Sequence, residues 1–186
     1  VTFIATANAV ALSGKRVILE GSPSYESFAT SPHPHIGAHV SGHRSLSPSA
    51  IEDSCEAFPM KPDSWMACYS LSTKKIITTG QGGAIATNVD SFATKIRALK
   101  DQGRTQQGTG GDDEHPTIGF NFKMTDLQAA VGLAQLTDLD RRIERRREIQ
   151  RMYEEALPVL PFKADEVPLW TDMIHDDREA IIARVE

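Results

Sequence analysis

Residues 124–161 carry the pattern that most restricts the fold of this chain. Their sequence is MTDLQAAVGLAQLTDLDRRIERRREIQRMYEEALPVLP, in which apolar residues recur at helical spacing. Thr125 is followed three residues later by Gln128, which is the arrangement of a capping box at a helix start. Pro158 cannot continue a helix. We therefore predict a long helix that starts at this box, is kinked or broken near Asp138, and ends before Pro158.

Short apolar segments alternate with helical segments in the rest of the chain. Residues 2–12 predict an apolar stretch that enters a helix and is stopped by Gly14, and residues 91–103 predict another helix. The strand-like segments are KRVILEG, the start of SAIEDSCEAF, WMACYSLS and GAIATN, the last predicted as a short buried strand. Residues 21–50, rich in Ser, Pro, Gly and His, have the composition of a loop. This alternation predicts an α/β fold with a mainly parallel sheet and flanking helices.

Composition narrows the class of protein. The 186 residues suffice for one sizeable core, or for one domain plus part of another. The net charge of -5 argues against a general nucleic-acid binder, and no apolar run approaches the length of a membrane span. The first residues lack the pattern of a signal peptide. The two cysteines, Cys55 and Cys68, suggest reduced thiols, so we expect a cytoplasmic protein with no nucleic-acid or membrane partner.

Two adjacent lysines, Lys74 and Lys75, precede an apolar and threonine-rich run that ends in a glycine turn. Adjacent like charges and burial both favour the neutral amine. A neutral lysine amine is a nucleophile that forms Schiff bases with carbonyls. Taken alone, the pair is equally compatible with two surface lysines at the start of a strand, which is the commoner arrangement.

Asp53 follows a short apolar segment near the end of a predicted strand. Carboxylates at the C-terminal ends of parallel strands commonly face the ligand crevice of an α/β sheet. Such a carboxylate can hold a proton on a heterocyclic nitrogen and so make the ring an electron sink. An aspartate that caps a turn would explain the same residue.

Other conspicuous patterns have simpler explanations. The glycines of TTGQGG permit a tight turn but match neither a Walker A motif nor a dinucleotide fingerprint. The histidines lie among Pro and Gly residues that argue against a helical metal site, and no cysteine or carboxylate completes the set, so we predict no metal. The basic run RRIERRRE is interleaved with glutamates and is typical of a solvated helix face.

Together, four segments resemble the DegT/DnrJ/EryC1 family of sugar aminotransferases, which use pyridoxal phosphate (PLP) and have the aspartate-aminotransferase fold, also called fold type I. TFIATANAV resembles the strand-to-helix entry of the family, and IEDSCEA resembles its EDAAQA or EDAAEA motif. CYSLSTKKIITTGQGGAIATN is similar to its FSFxxxKxITTGEGG motif. GFNFKMTDLQAAVGLAQL is similar to its GYNYRMTDIQAALGLAQL motif.

The resemblance implies a role for each matched residue. It places the family's lysine on Lys75, which would form the internal aldimine with PLP and shuttle the proton, with pyridoxamine phosphate as the intermediate. Asp53 would pair with the pyridinium nitrogen. Ser70 would contact the cofactor phosphate.

The same resemblance assigns three further positions. Glu56 stands where the family has Gln or Glu near the phenolic oxygen of the ring, and Phe3 matches an aromatic residue that stacks on the ring. Asn121 matches an asparagine that reaches the phosphate of the partner subunit's cofactor, which implies a homodimer with shared active sites. A large PLP-binding domain over residues 1–157 and a smaller C-terminal domain over residues 158–186 are expected, both incomplete.

The implied reaction moves an amino group from L-glutamate to a keto-sugar, most often nucleotide-linked. The motifs EDSCEAF and ITTGQGG favour GDP-4-keto-6-deoxymannose as the acceptor, giving GDP-perosamine. One alternative is a PLP-dependent sugar dehydratase of the same family, in which histidine typically replaces the lysine, so Lys75 argues against it. Another is a PLP-fold scaffold without catalysis, which the presence of Lys75, Asp53 and Ser70 disfavours.

Overall fold

The computed structural model describes residues 2–19, 35–44, 50–105, 114–173 and 175–185. The strands are β1 (Ile36–Ala38), β2 (Ile51–Asp53), β3 (Met66–Ser70) and β4 (Gly83–Thr87). The helices are α1 (Ile4–Leu12), α2 (Asp90–Lys100), α3 (Asp126–Leu136), α4 (Leu139–Ala156) and α5 (Arg178–Val185). None of the helices in the described ranges is long and apolar enough to cross a membrane.

The four strands form one sheet in the order β1-β2-β3-β4. β1, β2 and β3 run parallel, and β4 is antiparallel to β3. The predicted α/β fold with a mainly parallel sheet is therefore confirmed. Ala38 pairs with Asp53, and Asp53 with Cys68. The carboxyl ends of the three parallel strands consequently meet at one edge of the sheet, which is where α/β proteins bind ligands.

The predicted helix break is also confirmed. The Thr125 hydroxyl accepts a hydrogen bond from Gln128 N, and Gln128 Oε1 accepts one from Thr125 N, which completes the capping box. α3 ends at Leu136 and α4 starts at Leu139. These features are local in sequence, which is why the pattern of residues was sufficient to predict them.

Three local predictions need correction. The strand predicted over residues 15–21 is absent from residues 15–19, where Lys15 N donates back to Val10 O at the end of α1, and residues 20 and 21 lie outside the described part. The loop predicted over residues 21–50 contains β1, which is too short to show an alternating pattern. β4 is an edge strand whose first three residues are exposed, not a buried strand.

The apolar core lies where the sheet, the turn after Lys75 and residues 166–169 meet. Its buried apolar residues in the described ranges are Ala57, Met60, Ala67, Ile76, Ile77, Val167 and Leu169. Leu169 N donates a hydrogen bond to Ser41 O, so the segment that follows α4 packs on the chain that leaves β1. The proposed domain boundary at residue 157 stays a prediction.

A buried carboxylate on β2 ties three segments together. Glu52 is 3% exposed, and its Oε2 lies 3.0 Å from His39 Nε2. Its Oε1 accepts hydrogen bonds of 2.7 Å from Asp63 N and from Ser64 N. Burial raises the pKa of Glu52, but the hydrogen bonds from His39 and the backbone outweigh burial, so the pKa lies below the ordinary value of 4.5.

We expect Glu52→Gln to lower the free energy of unfolding at neutral pH by about 2–3 kcal/mol, because it removes the charge that these buried donors satisfy. The pKa of Glu52 is depressed in the folded state. Its stabilising contribution is therefore fully present above pH 4.5 and is lost as the pH falls through the folded pKa. Urea unfolding at neutral and acidic pH measures both effects.

The control for this experiment is Glu148→Gln, which alters an exposed pair with Arg145. The control should change stability by less than about 0.5 kcal/mol. A difference between wild type and Glu52→Gln that does not shrink on acidification would contradict the role given to the Glu52 charge.

Candidate active site

Asp53 ends β2 and is held in place by a hydroxyl and an amide. Thr6 Oγ1 in α1 donates a hydrogen bond of 2.5 Å to Asp53 Oδ2, and Cys55 N donates one of 3.1 Å to Asp53 Oδ1. The next strand residue toward the N-terminus, Glu52, is buried against His39 instead. Successive side chains of a strand point to opposite faces, so Asp53 faces α1. Both of its oxygens have a donor, and its orientation is therefore fixed.

The two adjacent lysines differ in their exposure to solvent. Lys74 is exposed, whereas the side chain of Lys75 is only 15% exposed and its Nζ lies 3.7 Å from Glu56 Oε1. Lys75 N donates to Ser72 O in a tight turn, and the following residues Ile76 and Ile77 are buried. The apolar anchor after the turn thus directs one of the two amines toward the protein.

Glu56 lies between the end of β1 and Lys75. Its Oε2 accepts a hydrogen bond of 2.8 Å from Ser41 N, while its Oε1 faces Lys75 Nζ. The carboxylate therefore connects the segment after β1 to the lysine turn. At 3.7 Å the contact with Lys75 is an ion pair rather than a hydrogen bond.

The Cys55 thiol lies between Asp53 and Glu56 in the chain and is affected by the charges of both Asp53 and Lys75. Burial, together with a hydrogen bond to Asp53 and the charge of Asp53, raises the pKa of Cys55 to about 12. The charge of Lys75 acts on the same thiol in the opposite direction. Geometry places the amine near this segment, because Lys75 Nζ lies 3.7 Å from Glu56 Oε1, three residues after Asp53 at the end of β2.

We expect the Cys55 thiol to be unreactive at neutral pH. A thiol with a pKa of about 12 instead of 9.0 forms far less thiolate, so alkylation by iodoacetamide should be roughly a hundredfold or more slower than that of a free cysteine. Peptide mass spectrometry after timed alkylation measures the rate. Cys55 in the urea-unfolded protein is the internal control, and equal rates in the folded and unfolded states would contradict the prediction.

Ser70 ends β3 on the same edge of the sheet. Its hydroxyl donates to Ser72 Oγ at 3.2 Å and accepts from Ser72 N at 3.3 Å. These contacts place two hydroxyl groups and a backbone turn next to the strand end that pairs with Asp53. Such a cluster of donors suits an anionic group.

Phe3 and Asn121, the remaining predicted site residues, lie on different elements. Phe3 is the N-cap of α1 and is 70% exposed. Its carbonyl accepts a hydrogen bond from the backbone N–H of Thr6, the residue whose hydroxyl binds Asp53. Asn121 is exposed and pairs with Asp101 at the end of α2. In this chain, Phe3 therefore lies close to the Asp53 cluster, whereas Asn121 lies with α2.

The loop that carries Asn121 is held against α2 by a close backbone approach. Phe120 N donates to Leu99 O, and Phe122 N donates to Lys100 O. Gly103 has a φ of +88°, and a Cβ at this position would lie 1.8 Å from Thr117 O. Only glycine fits there, so the path of this loop is fixed by local sterics.

Two residues of the site were missed from the sequence. Thr6 orients Asp53, and Glu52 fixes the loop after β2. Thr6 did not stand out in the sequence because it is 47 residues away from its partner. The partners of Glu52 are also on other segments, so no local pattern marks them. His39 contacts Glu52. His43 stacks on the ring of Phe162. His33 lies outside the described residues.

Solved structures define the class of fold. The chain superposes on the crystal structure of AtS13 from Actinomadura melliaura with a TM-score of 0.82 and 21% identity, covering 99% of this chain and 61% of that one. It superposes on Helicobacter pylori PseC, an aminotransferase involved in the biosynthesis of pseudoaminic acid, with a TM-score of 0.74 and 20% identity, covering 90% and 54%. The predicted PLP-dependent transferase fold is thereby confirmed.

The model of the DegT/DnrJ/EryC1/StrS aminotransferase family matches residues 49–183, and the chain belongs to this family. Aminotransferases of this family are PLP-dependent. A curated relative, the GDP-perosamine synthase of Caulobacter vibrioides, is 43% identical over 91 residues, which are 49% of this chain and 24% of that protein. The aligned part is therefore about a quarter of the curated relative, and the chain spans about three fifths of the solved structure of AtS13.

Proposed function

We propose that this chain is the cofactor-holding part of a PLP-dependent sugar aminotransferase that moves an amino group from L-glutamate to a nucleotide-linked keto-sugar. The observation that carries the proposal is that a shielded amine, Lys75, lies 3.7 Å from Glu56, three residues after the oriented carboxylate of Asp53 at the carboxyl edge of a parallel sheet. The membership of the chain in an aminotransferase family supports the same activity.

The donor set at this edge fits PLP. An amine suits an aldehyde, a carboxylate suits a protonated ring nitrogen, and the hydroxyls of Ser70 and Ser72 suit a phosphate. When bound, PLP supplies the aldehyde and an electron-withdrawing ring that stabilises negative charge on the reacting carbon. Lys75, Asp53 and Ser70 would hold it, with Glu56 beside Lys75 and Phe3 one helical turn from the Thr6 contact.

In this proposal Lys75 has two tasks, because its amine binds the cofactor and later carries a proton. Its side chain is only 15% exposed, so the amine is shielded from bulk water and directed toward the sheet edge, where a lysine amine can act on an aldehyde. Glu56, fixed by Ser41 N, lies close enough to hold the amine at the sheet edge. Lys75 is the catalytic residue of the proposal.

Asp53 holds a proton on the ring nitrogen. A carboxylate at this position must stay charged and must not rotate away. The Thr6 hydroxyl and the Cys55 amide each donate to one of its oxygens, and together these two hydrogen bonds fix the orientation of the carboxylate. Thr6 is thus a positioning residue for Asp53.

Asn121 supports a further part of the proposal. Its backbone pairs with Asp101 at the end of α2, on a different element from those that carry Asp53 and Lys75, and this separation favours a role at the site of a second copy of the protein. We therefore propose a homodimer in which Asn121 serves the partner's site. Size-exclusion chromatography with light scattering measures the oligomeric state, and a monomer that retains full activity would contradict the dimer.

GDP-4-keto-6-deoxymannose is the proposed acceptor. The relative with 43% identity is a GDP-perosamine synthase, and its aligned region covers about half of this chain. The test is a glutamate-dependent amination assay with a panel of nucleotide-linked keto-sugars, followed by mass spectrometry of the product. Amine transfer to a keto-sugar supports the proposal, and release of water without transfer would instead indicate a dehydratase.

Binding is tested separately from turnover. Borohydride makes a covalent link between PLP and an amine permanent, so peptide mass spectrometry locates the modified lysine. Pyridoxyl modification at Lys75 supports the proposal. Unmodified protein after incubation with PLP would overturn it and would favour a scaffold without catalysis.

A further inference from the structure

The chain between β3 and β4, residues 71–82, forms a closed loop that carries Lys75, and we refer to it as the lysine loop. Leu71 N donates to Gly82 O, and Thr79 N donates to Leu71 O, both at 2.9 Å. The Thr78 hydroxyl also donates to Leu71 O, at 3.0 Å. The base of the loop is thus fixed by its own backbone. Its position relative to the rest of the protein depends on other contacts.

Gln135 of α3 supplies the main polar contact to the lysine loop. Its Oε1 accepts a hydrogen bond of 3.1 Å from Thr78 N, and its Nε2 donates one of 2.5 Å to Thr78 O. The second N–H of the same amide donates to Val131 O in α3 at 3.1 Å, which fixes the orientation of the side chain. The amide therefore pairs with both backbone groups of Thr78, as a neighbouring strand would.

Two further contacts hold the same loop along α3 and α4. Gln128 Nε2 donates to Gln81 O at 3.1 Å, and Arg142 Nη1 donates to Ile76 O at 3.2 Å. A Cβ on Gly132 would lie 2.9 Å from Thr79 Cγ2, so the helix approaches the loop closely because this residue is glycine. Four residues on two helices thus register the loop on both sides of Thr78.

We infer that Gln135 is a positioning residue for Lys75, which sets the lysine loop so that the amine faces Glu56. This inference rests on the proposed function. Ile76 and Ile77 are buried but apolar, and apolar contacts do not fix the rotation of a peptide unit as hydrogen bonds do. The bonds from Gln135 to Thr78, three residues after Lys75, set that rotation. A misplaced amine costs rate even when the fold persists.

The decisive variant is Gln135→Met, which keeps the length and helix propensity of the side chain but removes the hydrogen bonds to Thr78. The matched control is Thr137→Ala, which removes a side-chain hydrogen bond to Ala134 O at the end of the same helix without touching the loop. Two measurements are made on the purified protein: hydrogen exchange before PLP is added, and the rate of borohydride-trapped pyridoxyl modification of Lys75 against PLP concentration.

We expect Gln135→Met to lose exchange protection at residues 76–81 and to be modified at Lys75 about tenfold more slowly at saturating PLP, since each lost hydrogen bond is worth up to a tenfold change. The PLP concentration that gives half the maximal rate should change little. Thr137→Ala should match wild type in both measurements.

The outcomes separate the inference from the proposed function. Modification of Gln135→Met at the wild-type rate would overturn the inference while leaving the proposed function intact. A loss of protection spread evenly over the chain would also overturn it, because it would indicate a general loss of stability. Wild-type protein that is not modified at Lys75 would overturn the proposed function, whatever the exchange data show.

Discussion

Replacing Lys75 by alanine should abolish covalent attachment of PLP and lower glutamate-dependent transamination by at least roughly 10³-fold, as expected when a covalent nucleophile is removed. The reason is geometric as well as chemical. Lys75 is the shielded member of the lysine pair, and its Nζ lies 3.7 Å from Glu56 Oε1. Absorbance of the bound cofactor and borohydride trapping measure attachment, and an amination assay measures turnover.

Lys74→Ala is the matched control for this experiment, because Lys74 is the adjacent lysine and is exposed. It should bind PLP and turn over as wild type does. If Lys74→Ala lost the covalent link and Lys75→Ala kept it, the assignment of the reactive lysine would be wrong by one residue.

The second large effect is expected at Asp53. Asp53→Asn keeps the size of the side chain but removes the charge that would, in our proposal, pair with the ring nitrogen of PLP, so kcat should fall by about 10²–10³-fold, as for the loss of one preorganised electrostatic contact. The amide oxygen of the variant side chain can keep the hydrogen bond from Cys55 N, and its NH2 group can donate to the Thr6 hydroxyl in place of the bond that Thr6 donates to Asp53. PLP should therefore still be trapped on Lys75 while the turnover rate falls.

Asp63→Asn serves as the control, since Asp63 is an exposed aspartate whose carboxylate binds Arg44 away from β2. Its kcat should stay within about twofold of wild type, in line with a surface ion pair. Equal losses of activity in both variants would show that charge at Asp53 has no special role in the reaction.

Local features of the fold and the general class of the sheet were predictable from the sequence, whereas individual long-range contacts were not. The capping box at Thr125 and the break near Asp138 depend on residues within one or two helical turns. β1 was missed because a strand of three residues between glycine and proline positions shows no alternation, and it forms only because β2 supplies a partner. The segment predicted as a strand after Gly14 contains apolar residues, but its described residues, 15–19, do not pair with a neighbouring strand.

The candidate site shows the same division. Asp53 and Lys75 were proposed from motifs that are each a continuous stretch of the sequence. The groups that orient them come from elsewhere, because Thr6 reaches Asp53 from α1 and Gln135 reaches the lysine loop across 57 residues. A hydrogen bond of this kind leaves no periodic signal, so it becomes visible only once the elements are packed.

The two adjacent acids of β2 have different tasks because successive side chains of a strand point to opposite faces of the sheet. Glu52 holds the fold through His39 and the loop at Asp63, and Asp53 faces Thr6 on the opposite side of the strand. Insertion or deletion of a single residue in this strand would exchange them, and would present the longer acid to α1 and the shorter one to His39. Substitutions can therefore alter either acid separately, whereas a one-residue insertion or deletion in β2 would disturb the fold and the candidate site together.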